Sequence, residues 1–171
     1  ADILGRRLDY RLAAPGRHWV QNSLAVLAVV AALGLDLGLA AATLAAFTPP
    51  KGRGQRRHLD LPGGHFELID ESYNASPAAM RAAFQVLAQA RPGQGGRRIA
   101  VLGDMRELGE TARLLHADLA PDLKSARVDL VFTAGPLMAW LHASLPETVP
   151  GVHAPDSQAL MPSVVEAVRA R

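Results

Sequence analysis

The sequence predicts an α/β fold: an open, mostly parallel Rossmann-like sheet with an antiparallel edge hairpin, preceded by a short helical segment. Three observations predict it. Ile99-Ala100-Val101-Leu102 and residues 128–133 are short apolar runs with the length and β-branched content of buried parallel strands. Helical stretches alternate with them, the pattern that places helices over a parallel sheet. Residues 56–61 and 65–70 flank Pro62-Gly63-Gly64, a turn composition that favours a hairpin.

Along the chain, Leu24, Leu27, Ala28 and Ala31 recur at helical spacing within 20–33, and Gly34 is placed to stop that helix. Asp36 can cap a second helix, which Phe47-Thr48-Pro49-Pro50 ends. Lys51-Gly52-Arg53-Gly54 then reads as a flexible connection and divides the chain into 1–50 and 51–171. After the hairpin, Ser76-Pro77 is a cap followed by a first-turn proline. Met80, Phe84 and Leu87 line one face of that helix until Arg91-Pro92-Gly93 stops it. Residues 110–120, 136–145 and 157–170 read as further helices, with Pro121 and Pro162 as kinks or restarts, and 151–153 as a weak strand.

A chain of 171 residues suits one domain of about 100–200 residues with part of a second. With 49% hydrophobic and 20% charged residues, disorder throughout is excluded. No cysteine is present, which excludes disulfide scaffolds, thiolate metal sites and cysteine nucleophiles together. A net charge of +2 gives no support to nucleic-acid binding. Residues 24–47 are strongly apolar, but Gly34, Asp36 and Gly38 interrupt them short of the roughly 20 residues a spanning helix needs, so no membrane insertion is expected. Residues 1–7 carry no signal-peptide pattern, so a cytoplasmic location is expected.

In open α/β sheets ligands sit beyond the carboxyl ends of strands. Two segments stand there: Asp70-Glu71-Ser72-Tyr73-Asn74-Ala75-Ser76-Pro77, where carboxylates leave a buried strand, and Gly103-Asp104-Met105-Arg106-Glu107-Leu108-Gly109. Each is open between ligand contact and ordinary turn or cap chemistry. Lys51, Arg53, Arg56, Arg57 and His58 form a basic cluster that is either a solvated strand edge or a phosphate contact. His18 and His116 have no second ligand at a diagnostic metal spacing and read as structural. Gln94-Gly95-Gly96 is a loop, and no phosphate-binding loop of the G-x-x-x-x-G-K-[ST] type occurs.

Taken together, the motifs resemble a family. Gly16-Arg17-His18-Trp19-Val20-Gln21-Asn22-Ser23-Leu24-Ala25 is similar to the G-x-H-N-V-x-N-A-L-A segment of the Mur ligases. Residues 70–77 resemble their D-[DE]-[ST]-Y-N-A-N-P, and 101–109 their V-L-G-D-M-x-E-L-G. The last two resemble the branch that adds D-alanyl-D-alanine to UDP-N-acetylmuramoyl-tripeptide in peptidoglycan synthesis. The resemblance implies a three-domain, ATP- and magnesium-dependent amide ligase working through an acyl phosphate. In it, 1–50 would be the helical tail of the central ATP-binding domain, and 51–171 the C-terminal α/β domain lacking its last strand. By similarity, Asn22 would hydrogen-bond adenine, His18 would border it, Arg53 would reach the phosphates, and Asp70, Tyr73 and Asn74 would line the ribose and phosphate side. No catalytic nucleophile or metal ligand is expected here, and the chain alone is expected to be inactive. Trp19 replaces the family's Asn, and Ser76 replaces Asn before Pro77. Other readings are a non-catalytic Rossmann-like binding module, a basic-patch interaction protein, and another Mur ligase or folylpolyglutamate synthase, which would carry D-Y-A-H-x-P or D-G-A-H-N-P.

Overall fold

A computed structural model describes residues 1–62 and 64–169. The chain opens with a small antiparallel pair, β1 (Asp2–Ile3) and β2 (Arg6–Arg7). Leu4 and Gly5 close it at φ 50 and 78, and Asp2 Oδ1 accepts from Gly5 N at 2.9 Å. Two-residue strands carry no periodicity, so this hairpin has no signature in the sequence.

Helix α1 spans Arg17–Ala32 and α2 spans Leu37–Leu44. Gly34 stops α1 as expected: at φ 69 its N–H donates to Ala31 O while Leu35 N–H donates to Val30 O, each at 3.0 Å. This is the Schellman arrangement, which satisfies orphan carbonyls at a helix end. Asp36 caps α2 through Leu39 N at 3.0 Å. Leu27, Leu37, Ala41 and Ile3 form a small core of their own.

Strands β3 (Gln55–Leu61) and β4 (Gly64–Asp70) pair antiparallel in full register. They form a separate two-stranded sheet rather than extending an edge of the parallel one. The reason is burial. Neither strand contains a buried residue, and Leu68 is 38% exposed, so the carboxylates at 70–71 leave an exposed strand and not the buried one expected.

Helix α3 (Pro77–Gln89) begins at the Ser76 cap, whose Oγ accepts from Ala79 N at 3.2 Å. It buries Phe84 and also Val86. The parallel sheet has the order β5 (Ile99–Gly103), β6 (Leu130–Ala134), β7 (Gly151–Ala154). Because side chains alternate along a strand, the sheet has two apolar faces. Ala100, Leu102 and Val131 pack with Phe84, Leu119, Leu123, Met138 and Leu141 on one; Phe132 and Ala154 pack with Leu160 on the other.

The helix expected at 110–120 divides into a 3-10 turn at Gly109–Thr111, α4 (Ala112–Ala117) and α5 (Ala120–Ser125), with Pro121 restarting it in the first turn of α5. The strand expected at 128–133 starts later, because Val128 N–H closes the end of α5 onto Leu123 O at 3.2 Å. The helix expected at 136–145 is α6 (Met138–Ala143), and α7 (Ser157–Arg169) runs through Pro162 without a break.

Candidate functional site

The Gly52–Gly54 connection is held tightly, contrary to the flexible linker expected. Arg53 N–H donates to Pro50 O at 3.0 Å, Gly54 N–H to Asp70 O at 2.9 Å, and Tyr73 N–H to Gly52 O at 3.0 Å. Both glycines have positive φ, +77 and +86, and a Cβ on Gly52 would stand 3.0 Å from Tyr73 N. Glycine is therefore needed for backbone conformation and close approach, not for mobility. The connection and the loop after β4 are locked together as one unit.

Within it, Asp70 Oδ1 accepts from Ser72 Oγ at 2.6 Å and Ser72 N at 3.1 Å. These bonds, the side-chain one foremost, hold its carboxyl below the usual range, with Lys51 adding a favourable charge. Asp70 thus makes the turn contact that competed with a ligand role in the sequence. Asn74 Oδ1 accepts from Ala75 N at 2.9 Å. The Arg53 guanidinium lies 4.0 Å from the centre of the Tyr73 ring, and Tyr73 is 66% exposed. The basic cluster divides. Lys51 and Arg53 stay at this loop, whereas Arg56 is spent on both carboxylate oxygens of Glu67 at 3.1 and 2.9 Å. His58 stacks on His65 across the hairpin, 4.6 Å between ring centres.

The first turn of α1 approaches the same place. Gly16 enters it at φ +122, where a Cβ would meet the His18 ring at 2.8 Å. The His18 ring packs 5.3 Å from that of Trp19, which packs 5.0 Å from Phe47. Burial pushes the His18 pKa down. A Cβ on Gly54 would lie 3.5 Å from Trp19 Nε1, so the indole abuts the connection. Arg53, Asp70 and Tyr73 therefore lie together, with His18 brought alongside through Trp19. Asn22 is exposed one turn further along α1, and Asn74 faces its own loop. Glu71, not among the residues expected here, also borders Gly54 with a half-buried carboxyl; nothing in its local pattern separates it from a solvated loop acid.

The second strand-end segment is committed to structure. Asp104 Oδ1 accepts from Met138 N at 2.7 Å and Leu137 N at 3.1 Å, capping α6 from another element. Gly135 lets it in, since a Cβ there would sit 2.5 Å from Asp104 Cγ. His116 is fully buried: Met105 N–H donates to its Nε2 at 2.9 Å, so its Nδ1–H donates to Ala112 O at 2.6 Å. Both ring nitrogens are used, which makes it the structural histidine expected. Among the described residues no group of three or more His, Asp or Glu side chains could hold a metal.

Residues 52–171 match the family model described as Mur ligase, glutamate ligase domain. The chain belongs to the Mur ligase family. It is 34% identical over 154 residues to the UDP-N-acetylmuramoyl-tripeptide–D-alanyl-D-alanine ligase of Escherichia coli K12, covering 90% of this chain and 32% of that protein. A crystal structure of MurF from Acinetobacter baumannii superposes with a TM-score of 0.77 at 30% identity, covering 94% of this Mur ligase chain and 33% of that one. MurF ligase from Thermotoga maritima in complex with ADP shares the fold with a TM-score of 0.77 at 22% identity, covering 99% of this chain and 36% of that one. The chain spans about a third of the length of the curated relatives it matches.

Proposed function

We propose that this chain is the C-terminal part of an ATP-dependent ligase that joins D-alanyl-D-alanine to UDP-N-acetylmuramoyl-tripeptide, and that it supplies one wall of the ATP site. The observation that carries this reading is the convergence of Arg53, Asp70 and Tyr73 with the first turn of α1 across the locked Gly52–Gly54 connection. The donor set suits a nucleotide. Two cations, Lys51 and Arg53, can face phosphates, an ionised Asp70 can accept from ribose hydroxyls, and Tyr73, Asn22, His18 and Asn74 supply aromatic and amide contacts.

In this reading residues 1–50 belong to the ATP-binding domain and 51–171 to the C-terminal α/β domain. The exposed apolar face of α1 and α2 supports that division: Val26, Val29, Leu33, Leu35 and Leu39 are each more than half exposed, more than a finished domain surface carries on one side. ATP supplies the phosphoryl group that activates the substrate carboxylate. The residues here orient it and offset charge as the carboxylate is activated and attacked by the amine. Magnesium would be held largely by residues outside this chain. The enzyme would work in the cytoplasm; among the described residues no helix is long and apolar enough to cross a membrane.

The test is turnover by the full-length polypeptide carrying this segment. It is expected to form ADP and the extended peptide only when ATP, the tripeptide substrate and D-alanyl-D-alanine are all present. ADP formation that ignores both peptide substrates would contradict the reading.

A further inference from the structure

At the junction, a buried donor and a half-buried carboxylate face the same glycine. Trp19 Nε1 is buried without a hydrogen-bond partner. A Cβ on Gly54 would lie 3.5 Å from that nitrogen and 3.2 Å from Glu71 Oε1, so both groups border one position kept empty of side chain. Burial first, and Asp70 second, push the Glu71 carboxyl up, as befits a carboxylate in want of a donor. The indole packs against Phe47 and His18, while Asp70 and Lys51 are the charged groups on the loop side. A buried N–H without an acceptor is rare in native structures and calls for an explanation.

We propose that Trp19 and Glu71 are the two halves of a latch: the indole N–H donates to the Glu71 carboxylate across the Gly54 backbone when α1 settles onto the loop at 70–74. Closing it fixes the segment that carries His18 and Asn22 against the one that carries Arg53, Asp70 and Tyr73. Trp19 and Glu71 are then positioning residues, and their functional consequence, though not the latch itself, rests on the nucleotide reading above. Gly54 has a second role in this arrangement. Besides adopting positive φ, it leaves the path between donor and acceptor open.

The indole N–H is its own reporter. In the 15N-labelled 171-residue chain only Trp19 and Trp140 give indole resonances, and Trp140→Phe assigns them. The latch predicts that Glu71→Ala moves the Trp19 resonance upfield, that Glu71→Gln, whose amide oxygen still accepts, largely keeps it in place, and that the rest of the spectrum is retained. In the unaltered chain, exchange of the Trp19 indole proton is expected to be about tenfold or more slower than that of Trp140. A Trp19 resonance indifferent to Glu71→Ala, or exchange as fast as at Trp140, would overturn the latch. So would an ADP-induced shift of equal size with and without the Glu71 carboxylate, which would give the N–H to the nucleotide. The Glu71 comparison needs no nucleotide, so a failure of the nucleotide reading is seen separately, as the absence of any response to ADP in the full-length polypeptide carrying this segment.

Discussion

Asp70 shows how one carboxylate can be both a turn residue and a candidate ligand. Its Oδ1 is bonded to Ser72, and asparagine forms the same turn, so Asp70→Asn removes the charge while keeping the loop. In the full-length protein we expect ATP affinity measured by calorimetry to fall while unfolding free energy changes by less than about 0.5 kcal/mol. A lowered unfolding midpoint with unchanged ATP affinity would make Asp70 structural only. His142 gives a pH prediction. Burial, and then His153, whose ring lies 5.6 Å away, lower its pKa in the folded protein. Below the ordinary value of about 6.5 the unfolded chain binds a proton that the folded chain resists, so stability falls as pH falls through that range. His142→Gln is expected to flatten the decline of the thermal midpoint between about pH 7 and 5. An unchanged slope would exclude His142 as its source.

Elements with strong local chemistry were legible in the sequence: the Ser76-Pro77 start, the Asp36 cap, the Gly34 stop and the strands at 99 and 151 stand where propensity and capping put them. What was not legible depended on contacts distant in sequence. Asp104 is open between cap and ligand, with the cap favoured, until α6 is placed beneath it, and the linker at 52–54 looks flexible until the loop at 70–73 bonds to it. Two of the three motifs, at 16–25 and 70–77, meet at the candidate site while the third caps α6, and pattern alone could not show that Asn74 serves its own loop or that Arg56 pairs with Glu67. Two tests belong at this scale. Gly135→Ala would force a Cβ against Asp104 at a φ of +113 and should destabilise the chain by about 3 kcal/mol or more in denaturant unfolding. Arg127 ends α5 at φ 54, exposed, in a position that favours glycine. Arg127→Gly should stabilise by about 1 kcal/mol, seen as a higher denaturant midpoint at unchanged slope. A lower midpoint would mean that the arginine side chain holds that turn.

At the scale of the molecule, the buried hydrophobic residues fall into separate cores, and the candidate site lies where the first turn of α1 abuts the Gly52–Gly54 connection. One lies around Leu27 and Leu37; the larger spans the parallel sheet and its helices. Neither contains a phosphate-binding loop, so the 171-residue chain by itself is expected to show no ATP turnover. Arg53 is the most informative position, because its guanidinium rests on an exposed tyrosine with no carboxylate partner among the described residues. The most direct measurement is steady-state ligation by the full-length enzyme with Arg53→Ala. Loss of a charge-assisted phosphate contact predicts that kcat falls with a barrier increase of about 1.5–3 kcal/mol, roughly ten- to a hundredfold. Unchanged kcat and KM would leave Arg53 as a solvated charge and contradict an ATP site at this junction.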